Sequence, residues 1–446
     1  MTVDLVLKNA KIYYAGSIIE ACLAIDGEKI VGISKETNLP DSSKRINLEG
    51  RLILPGMIDA HVHLRDEDFE YKEDFFTGTC AAASGGVTTV LDMPNNSPVT
   101  MSVDSLKRRA AIASQKAVVN VGFYSAFPEN LDEMNDIVEL GARGFKIFLS
   151  QQIGGIDPDD DEQILQSFKK AASLGVPVLI HAEDKKFLDF RSEELKREGR
   201  TDVKAFMEAH SIRSEVNAVK RAVHLARISG ALIHICHVSA GQSVEIISSA
   251  KNSEVRVTCE VTPHHLFLSS RRLCSLGTIA LTNPPLRSRS DQEILWSSLK
   301  SGVIDIIASD HAPHALDEKM GDSAWEIAPG FPGLETIVPL MLTQINEGRL
   351  SLSRFVQISS KRPAEIFRIE GRGVLKEGSF ADFVVIDMKR EWKVDSSKFH
   401  SKAKFSPFDG WRVRGKVTKT FVNGRLIMDE GEIVGKPGEG KILCRE

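Results

Sequence analysis

Leu52-Ile53-Leu54-Pro55-Gly56-Met57-Ile58-Asp59-Ala60-His61-Val62-His63-Leu64-Arg65 passes from an apolar run into an alternation of apolar and polar residues. The apolar part predicts a buried strand. Residues two apart on a strand share a face, so Asp59, His61, His63 and Arg65 should project together from its end. Two imidazoles side by side can chelate a metal ion, and a guanidinium one step further can hold an anion. A His-x-His pair is equally compatible with two surface histidines. The reading therefore turns on whether the rest of the chain supplies further ligands.

Outward from this stretch, apolar β-branched runs alternate with segments of helical period. The runs fall at 58–63, 87–93, 118–125, 144–149, 176–182, 231–239, 255–262 and 303–310. Eight buried strands with crossover helices predict a closed parallel barrel. A doubly wound open sheet would want a Gly-rich phosphate loop after its first strand, and the sequence has none there. Both chain ends have a different texture, short β-rich runs separated by Asp26-Gly27 and Asn423-Gly424, which are hairpin signals. The expected class is α/β: a (β/α)8 TIM-type barrel over 53–370, with a small discontinuous β-sandwich domain built from 1–52 and 371–446.

Composition sets outer bounds. At 446 residues the chain can bury a large barrel plus an accessory domain, and 42% apolar with 26% charged residues is ordinary globular usage. A net charge of −4 gives no electrostatic case for nucleic acid or an anionic membrane. No cationic segment followed by an apolar core opens the chain, and no apolar run approaches the roughly 20 residues of a membrane span. Cys22, Cys80, Cys236, Cys259, Cys274 and Cys444 form no C-x-x-C pair and read as free thiols. A cytoplasmic location is expected.

In a parallel barrel the chemistry gathers at the C-terminal strand ends. The first run ends in His61, His63 and Arg65, and the second in Asp92-Met93-Pro94-Asn95. The fourth carries Lys146, the fifth ends at His181, the sixth at His237 and the eighth at Asp310. Nitrogen and oxygen donors without a thiolate pattern suit zinc or a similar divalent ion in an open site. Four histidines and an aspartate can serve two ions if something bridges them. Lys146 could do so as a carbamate, formed from its amine and CO2, whereas its ammonium would repel cations.

These residues resemble the amidohydrolase superfamily and, within it, the dihydroorotases. The resemblance extends over essentially the whole chain. His61-Val62-His63-Leu64-Arg65 is similar to the H-x-H-x-R signature, and Met93-Pro94-Asn95 to M-P-N. Asn283-Pro284-Pro285-Leu286-Arg287, Asp310-His311-Ala312-Pro313-His314 and the 330–336 and 406–411 segments resemble further family stretches. Two departures stand out. The usual R-E-P-G reads Arg65-Asp66-Glu67-Asp68, and Lys146 with Ser150-Gln151-Gln152 resembles the lysine type of site.

The resemblance implies two Zn2+ ions held by His61, His63, Lys146, His181, His237 and Asp310, bridged by carboxylated Lys146 and hydroxide. It implies reversible cyclisation of N-carbamoyl-L-aspartate to L-dihydroorotate, with Asp310 moving the proton. Arg65, Asn95 and His314 would grip the substrate carboxylate, and Asn283 the ring's amide edge. Homo-oligomerisation and association with aspartate transcarbamoylase are partnerships the family suggests. His237 is preferred over His234 as ligand, His264 and His265 read as structural, and His210, His224 and His400 as helix or surface residues. The competing readings are an allantoinase or dihydropyrimidinase, set apart by the Arg65/Asn95 pair, and a catalytically inactive scaffold.

Overall fold

The computed structural model describes residues 2–444. Leu52–Pro55 is a strand of the accessory sheet, and one residue later Met57–Val62 is the first strand of the barrel. Gly56 makes this junction possible, because a Cβ there would lie 2.1 Å from the Thr88 hydroxyl on the adjacent strand. Only a residue without a side chain lets the two strands approach so closely.

Met57–Val62 pairs in parallel with Val87–Asp92, which pairs with Asn120–Phe123. At Tyr124 the chain changes partner, and Ser125–Ala126 continues on Phe145–Phe148. Parallel pairing then runs through Val178–His181, Ile233–Ile235, Val257–Val261 and Ile306–Ile307. The ring closes where the His63 N–H donates to the His311 carbonyl at 2.8 Å, beside a Val62–His311 bridge. The chain therefore adopts the expected (β/α)8 barrel, helices such as Phe75–Gly85, Asp161–Leu174 and Ile212–Ser229 forming the outer layer.

Three of the apolar runs give shorter or broken ladders than the sequence suggests. The 303–310 run pairs regularly only at Ile306–Ile307, because beyond it the Ser309 N–H bonds the Asp59 carboxylate instead of a neighbouring strand. The 231–239 run is reduced to Ile233–Ile235, since the His237 N–H turns to the Glu260 side chain. The 118–125 run divides at Tyr124. The ladders stop where side chains must be aimed into the barrel mouth.

The accessory sheet has nine strands drawn from both chain ends. Leu52–Pro55 joins the halves, pairing in parallel with Val3–Tyr14 and antiparallel with Phe383–Lys393. Its core includes Leu7, Ile12, Leu23, Ile53, Phe383 and Phe421, the last two rings stacked at 4.6 Å. Residues beyond the last sheet strand return to the barrel: the Val121 N–H donates to Lys441 O and the Leu443 N–H to Val121 O, both at 2.8 Å. No helix among the described residues is long and apolar enough to cross a membrane.

Helix Leu334–Asn346 packs between Phe75–Gly85 and sheet strand Arg412–Val422. Glu335 in its first turn accepts the His400 N–H at 3.0 Å, and burial pushes its carboxyl up to about 8 despite that donor. Between about 4.3, the ordinary glutamate value, and 8 the unfolded chain has released this proton while the folded one keeps it, so stability falls as pH rises through that window. Glu335→Gln is therefore expected to flatten the decline of Tm and to be more stable by a few degrees at pH 8. A Tm–pH curve parallel to the wild type would clear Glu335 of this role.

Candidate metal centre and substrate pocket

Three residues at the barrel mouth adopt a backbone that non-glycine residues rarely occupy: Arg65 (φ 56°), His237 (φ 34°) and Asp310 (φ 48°). Such strain, of order 1–3 kcal/mol each, persists only where surrounding contacts enforce it. Around Arg65 those contacts are ionic. Asp66 and Glu67 also have positive φ, and the Arg109 guanidinium ties the turn down, donating to Arg65 O at 2.8 Å, Glu67 Oε2 at 3.0 Å and Asp92 Oδ2 at 2.6 Å. The loop that departs from the family pattern is thus held by buried charge pairs.

His61 and His63 converge as the strand period requires. Their Nε2 atoms lie 3.4 and 3.2 Å from Asp310 Oδ1. The Nδ1 of His63 donates to Asn95 Oδ1 at 2.7 Å, and the Nδ1 of His61 to Glu260. Each outer partner fixes the tautomer, leaving the Nε2 lone pairs aimed at Asp310. A second pair adjoins: His181 Nδ1 is 3.0 Å from His237 Nε2, and the rings of His61 and His237 are 5.3 Å apart. His181 Nε2 donates to Glu183 at 2.8 Å. Burial would raise the Glu183 carboxyl, but the His210 and His181 imidazoles hold it below the usual carboxylate range.

Burial pushes His61, His63 and His237 below the ordinary imidazole value. Neutral imidazoles are what a metal ion needs, because only the deprotonated ring has a free lone pair. His61, His63 and Asp310 bring one donor atom each within 4.8 Å of one another, as do His61, Cys236 and Glu260. Only the first group has its carboxylate at the pocket wall and its imidazoles tautomerically free. With His181 and His237 alongside, the donor set fits a divalent ion in an open, nitrogen- and oxygen-lined site. Lys146 is buried, its Nζ 2.9 Å from Cys236 Sγ. Its Nζ also lies 4.9 Å from the centre of the Phe148 ring, which is 5.5 Å from that of His181.

A cavity of about 280 Å³ opens over these groups. His61, His63, Arg65, Asn95, His181, His237, Asn283 and Asp310 all line it. Lys146 and His314 do not: Lys146 lies beneath, and His314 stands beside Arg65, its Nε2 3.3 Å from the guanidinium Nη2. Lys72 donates to His314 Nδ1 at 3.3 Å, so the other nitrogen carries the proton and donates to Pro329 O at 3.1 Å. Arg65 is 8% exposed, donates through Nε to Pro313 O at 3.2 Å, and has no ion-pair partner among the described residues. Burial lowers it to about 10, which leaves it cationic at neutral pH. Asn283 Oδ1 is likewise buried without a hydrogen-bond partner.

The remaining histidines separate as follows. His234 bonds Thr258 and Glu260 and does not line the cavity, so of the two out-of-phase histidines it is His237 that faces the site. His264 and His265 are buried, His265 bonding Thr262 and Pro284 O. His210, read from the sequence as a helix or surface residue, instead lines the cavity. Glu260, which does not stand out among the strand-end residues of the sequence, accepts from His61, His234 and the His237 N–H at once. Its signal was available: it is the one carboxylate in the apolar strand Val257–Val261.

The amidohydrolase family matches residues 52–427. The chain is 37% identical to a dihydroorotase of Methanothermobacter thermautotrophicus, over 99% of this chain and 98% of that protein. It is 32% identical to an L-hydantoinase of Paenarthrobacter aurescens, over 99% and 98% respectively. The crystal structure of L-hydantoinase (dihydropyrimidinase) from Arthrobacter aurescens superimposes with a TM-score of 0.96 at 32% identity, covering all of both chains.

Proposed function

The chain belongs to the amidohydrolase family and is a hydrolase of cyclic amides; from that premise we propose that its substrate pair is L-dihydroorotate and N-carbamoyl-L-aspartate. The observation that carries this reading is Arg65, a buried guanidinium with no ion-pair partner among the described residues, on the wall of the cavity that holds the metal-ligand set. A buried cation left unpaired is costly, and a substrate carboxylate would satisfy it bidentately. Asn95, fixed by His63, lies in the same wall, and the Pro313 carbonyl holds the guanidinium in place through its Nε–H. A hydantoin or dihydropyrimidine ring carries no such carboxylate.

His61, His63, His181, His237 and Asp310, with Lys146 as a bridging carbamate, would hold two zinc ions. When bound, these would supply Lewis-acid chemistry, ionising water near neutral pH and polarising the amide carbonyl. Ring opening adds water across a C–N bond: the oxygen goes to the carbonyl carbon, and the departing ring nitrogen needs a proton. Asp310 would move that proton. Asp310 lines the cavity beside the imidazoles of His61 and His63. Arg65 and Asn95 orient the substrate through its carboxylate, and Asn283 Oδ1 offers an acceptor to a ring N–H. Cyclisation runs the same steps in reverse.

The experiment is a panel of rings offered to the zinc-loaded protein: L-dihydroorotate, hydantoin, dihydrouracil and allantoin. The expected result is a preference for dihydroorotate of at least a hundredfold in kcat/KM. Preference for a ring without a carboxylate would move the assignment to the hydantoinase and dihydropyrimidinase branch, whose structure this chain matches closely.

A further inference from the structure

His210 ends the short helix Val203–Ala209 and is fixed on several sides. Its ring stacks on Phe206 at 4.2 Å and 22°. Its carbonyl accepts Arg287 Nη1 at 2.5 Å, and its N–H donates to Phe206 O at 3.0 Å. Its Nδ1 lies 2.9 Å from Glu183 Oε1, while the other oxygen of that carboxylate takes the His181 proton at 2.8 Å. A carboxylate has no proton to give, so both imidazoles donate to it. In the neutral ring this leaves the His210 Nε2 lone pair as the free end. No described residue bonds that atom, and the residue lines the cavity.

A cyclic ureide presents two N–H groups flanking a carbonyl, and burying either without an acceptor costs the full desolvation of that donor. Asn283 Oδ1, buried and unpartnered on the same cavity, is one acceptor. We propose that His210 is a second, a substrate-contacting residue whose Nε2 accepts a ring N–H and so selects ureide rings. The proposal rests on the ring-hydrolase reading above, and it holds for any ureide ring the protein opens.

Two variants separate this role from mere support of Glu183. In His210→Asn the amide nitrogen stands where Nδ1 was, so the Glu183 contact survives and the cavity acceptor is lost. In His210→Gln the amide oxygen reaches toward the Nε2 position, while the Glu183 contact is given up. The expected result on the best ring substrate is a tenfold or larger rise in KM for His210→Asn, with kcat within threefold and zinc content unchanged. His210→Gln should hold KM within threefold of wild type. A structural role predicts the opposite order. The proposal is overturned if His210→Asn keeps its wild-type KM, if His210→Gln is the more damaged of the two, or if no ureide ring is turned over. A wild type that prefers hydantoin would sink the dihydroorotate assignment alone, leaving the variant order to judge His210.

Discussion

Arg65→Ala is expected to lower kcat/KM for dihydroorotate by roughly 10²–10³-fold while leaving bound zinc intact. The guanidinium is buried, has no ion-pair partner among the described residues, and shares the cavity wall with Asn95. Removing one side of a buried charge pair costs about 2–5 kcal/mol, roughly 30- to 5,000-fold, and the expected loss falls within that span. The imidazoles of His61 and His63 are oriented by Glu260 and Asn95, not by Arg65, so their hold on metal should persist. Arg65→Lys should rescue little, because a point charge cannot reproduce the fork. Turnover of a neutral ring such as dihydrouracil should change far less than that of dihydroorotate. Normal turnover of dihydroorotate by the alanine variant would remove the carboxylate assignment.

Asp310→Ala should be more severe, with turnover of every ring substrate reduced by about 10⁴-fold or more and zinc content reduced as well. Its Oδ1 is the point on which His61 and His63 Nε2 converge, so under the proposed mechanism one carboxylate would serve both the metal-ligand set and the moving proton. General acid–base catalysis alone contributes about 10²–10⁴-fold, and loss of a ligand adds to that. Asp310→Asn keeps the shape and can still offer an oxygen but cannot carry the proton. Zinc retained with turnover abolished in Asp310→Asn isolates the proton role; turnover retained in Asp310→Asn would end it.

Much of this site was legible in one dimension because a parallel barrel sends every strand's C-terminal end to the same place. His61, His63, His181, His237 and Asp310 stand out at strand ends; the period of two says only that one of His234 and His237 can face the cavity, and the family resemblance picks His237. Glu260, Glu183 and His210 escaped for different reasons. Glu260 is a strand residue whose importance lies in the three groups it accepts from, two of which come from other strands. His210 belongs to no barrel strand; it reaches the cavity only because stacking on Phe206 and the bond to Glu183 bring it there. The strand run at 303–310 overran its ladder because Asp59, 250 residues away in sequence, captures the Ser309 N–H. Periodicity reports burial, and such captures are set by tertiary neighbours.

The union of Leu52–Pro55 with Phe383–Lys393 has a consequence for the order in which the molecule can be made. Leu54 finds Val384 only after the entire barrel between them has left the ribosome. Until then the amino-terminal half-sheet waits with an open edge, and edges of that kind invite pairing with other chains. Contacts so distant in sequence close late and slowly. The short linkage through Gly56 means that docking of the last strands bears directly on the strand that carries His61 and His63. In a nascent chain the face that carries these histidines would therefore reach its final rigidity only after Phe383–Lys393 has been made and the second half of the sheet locks onto the first.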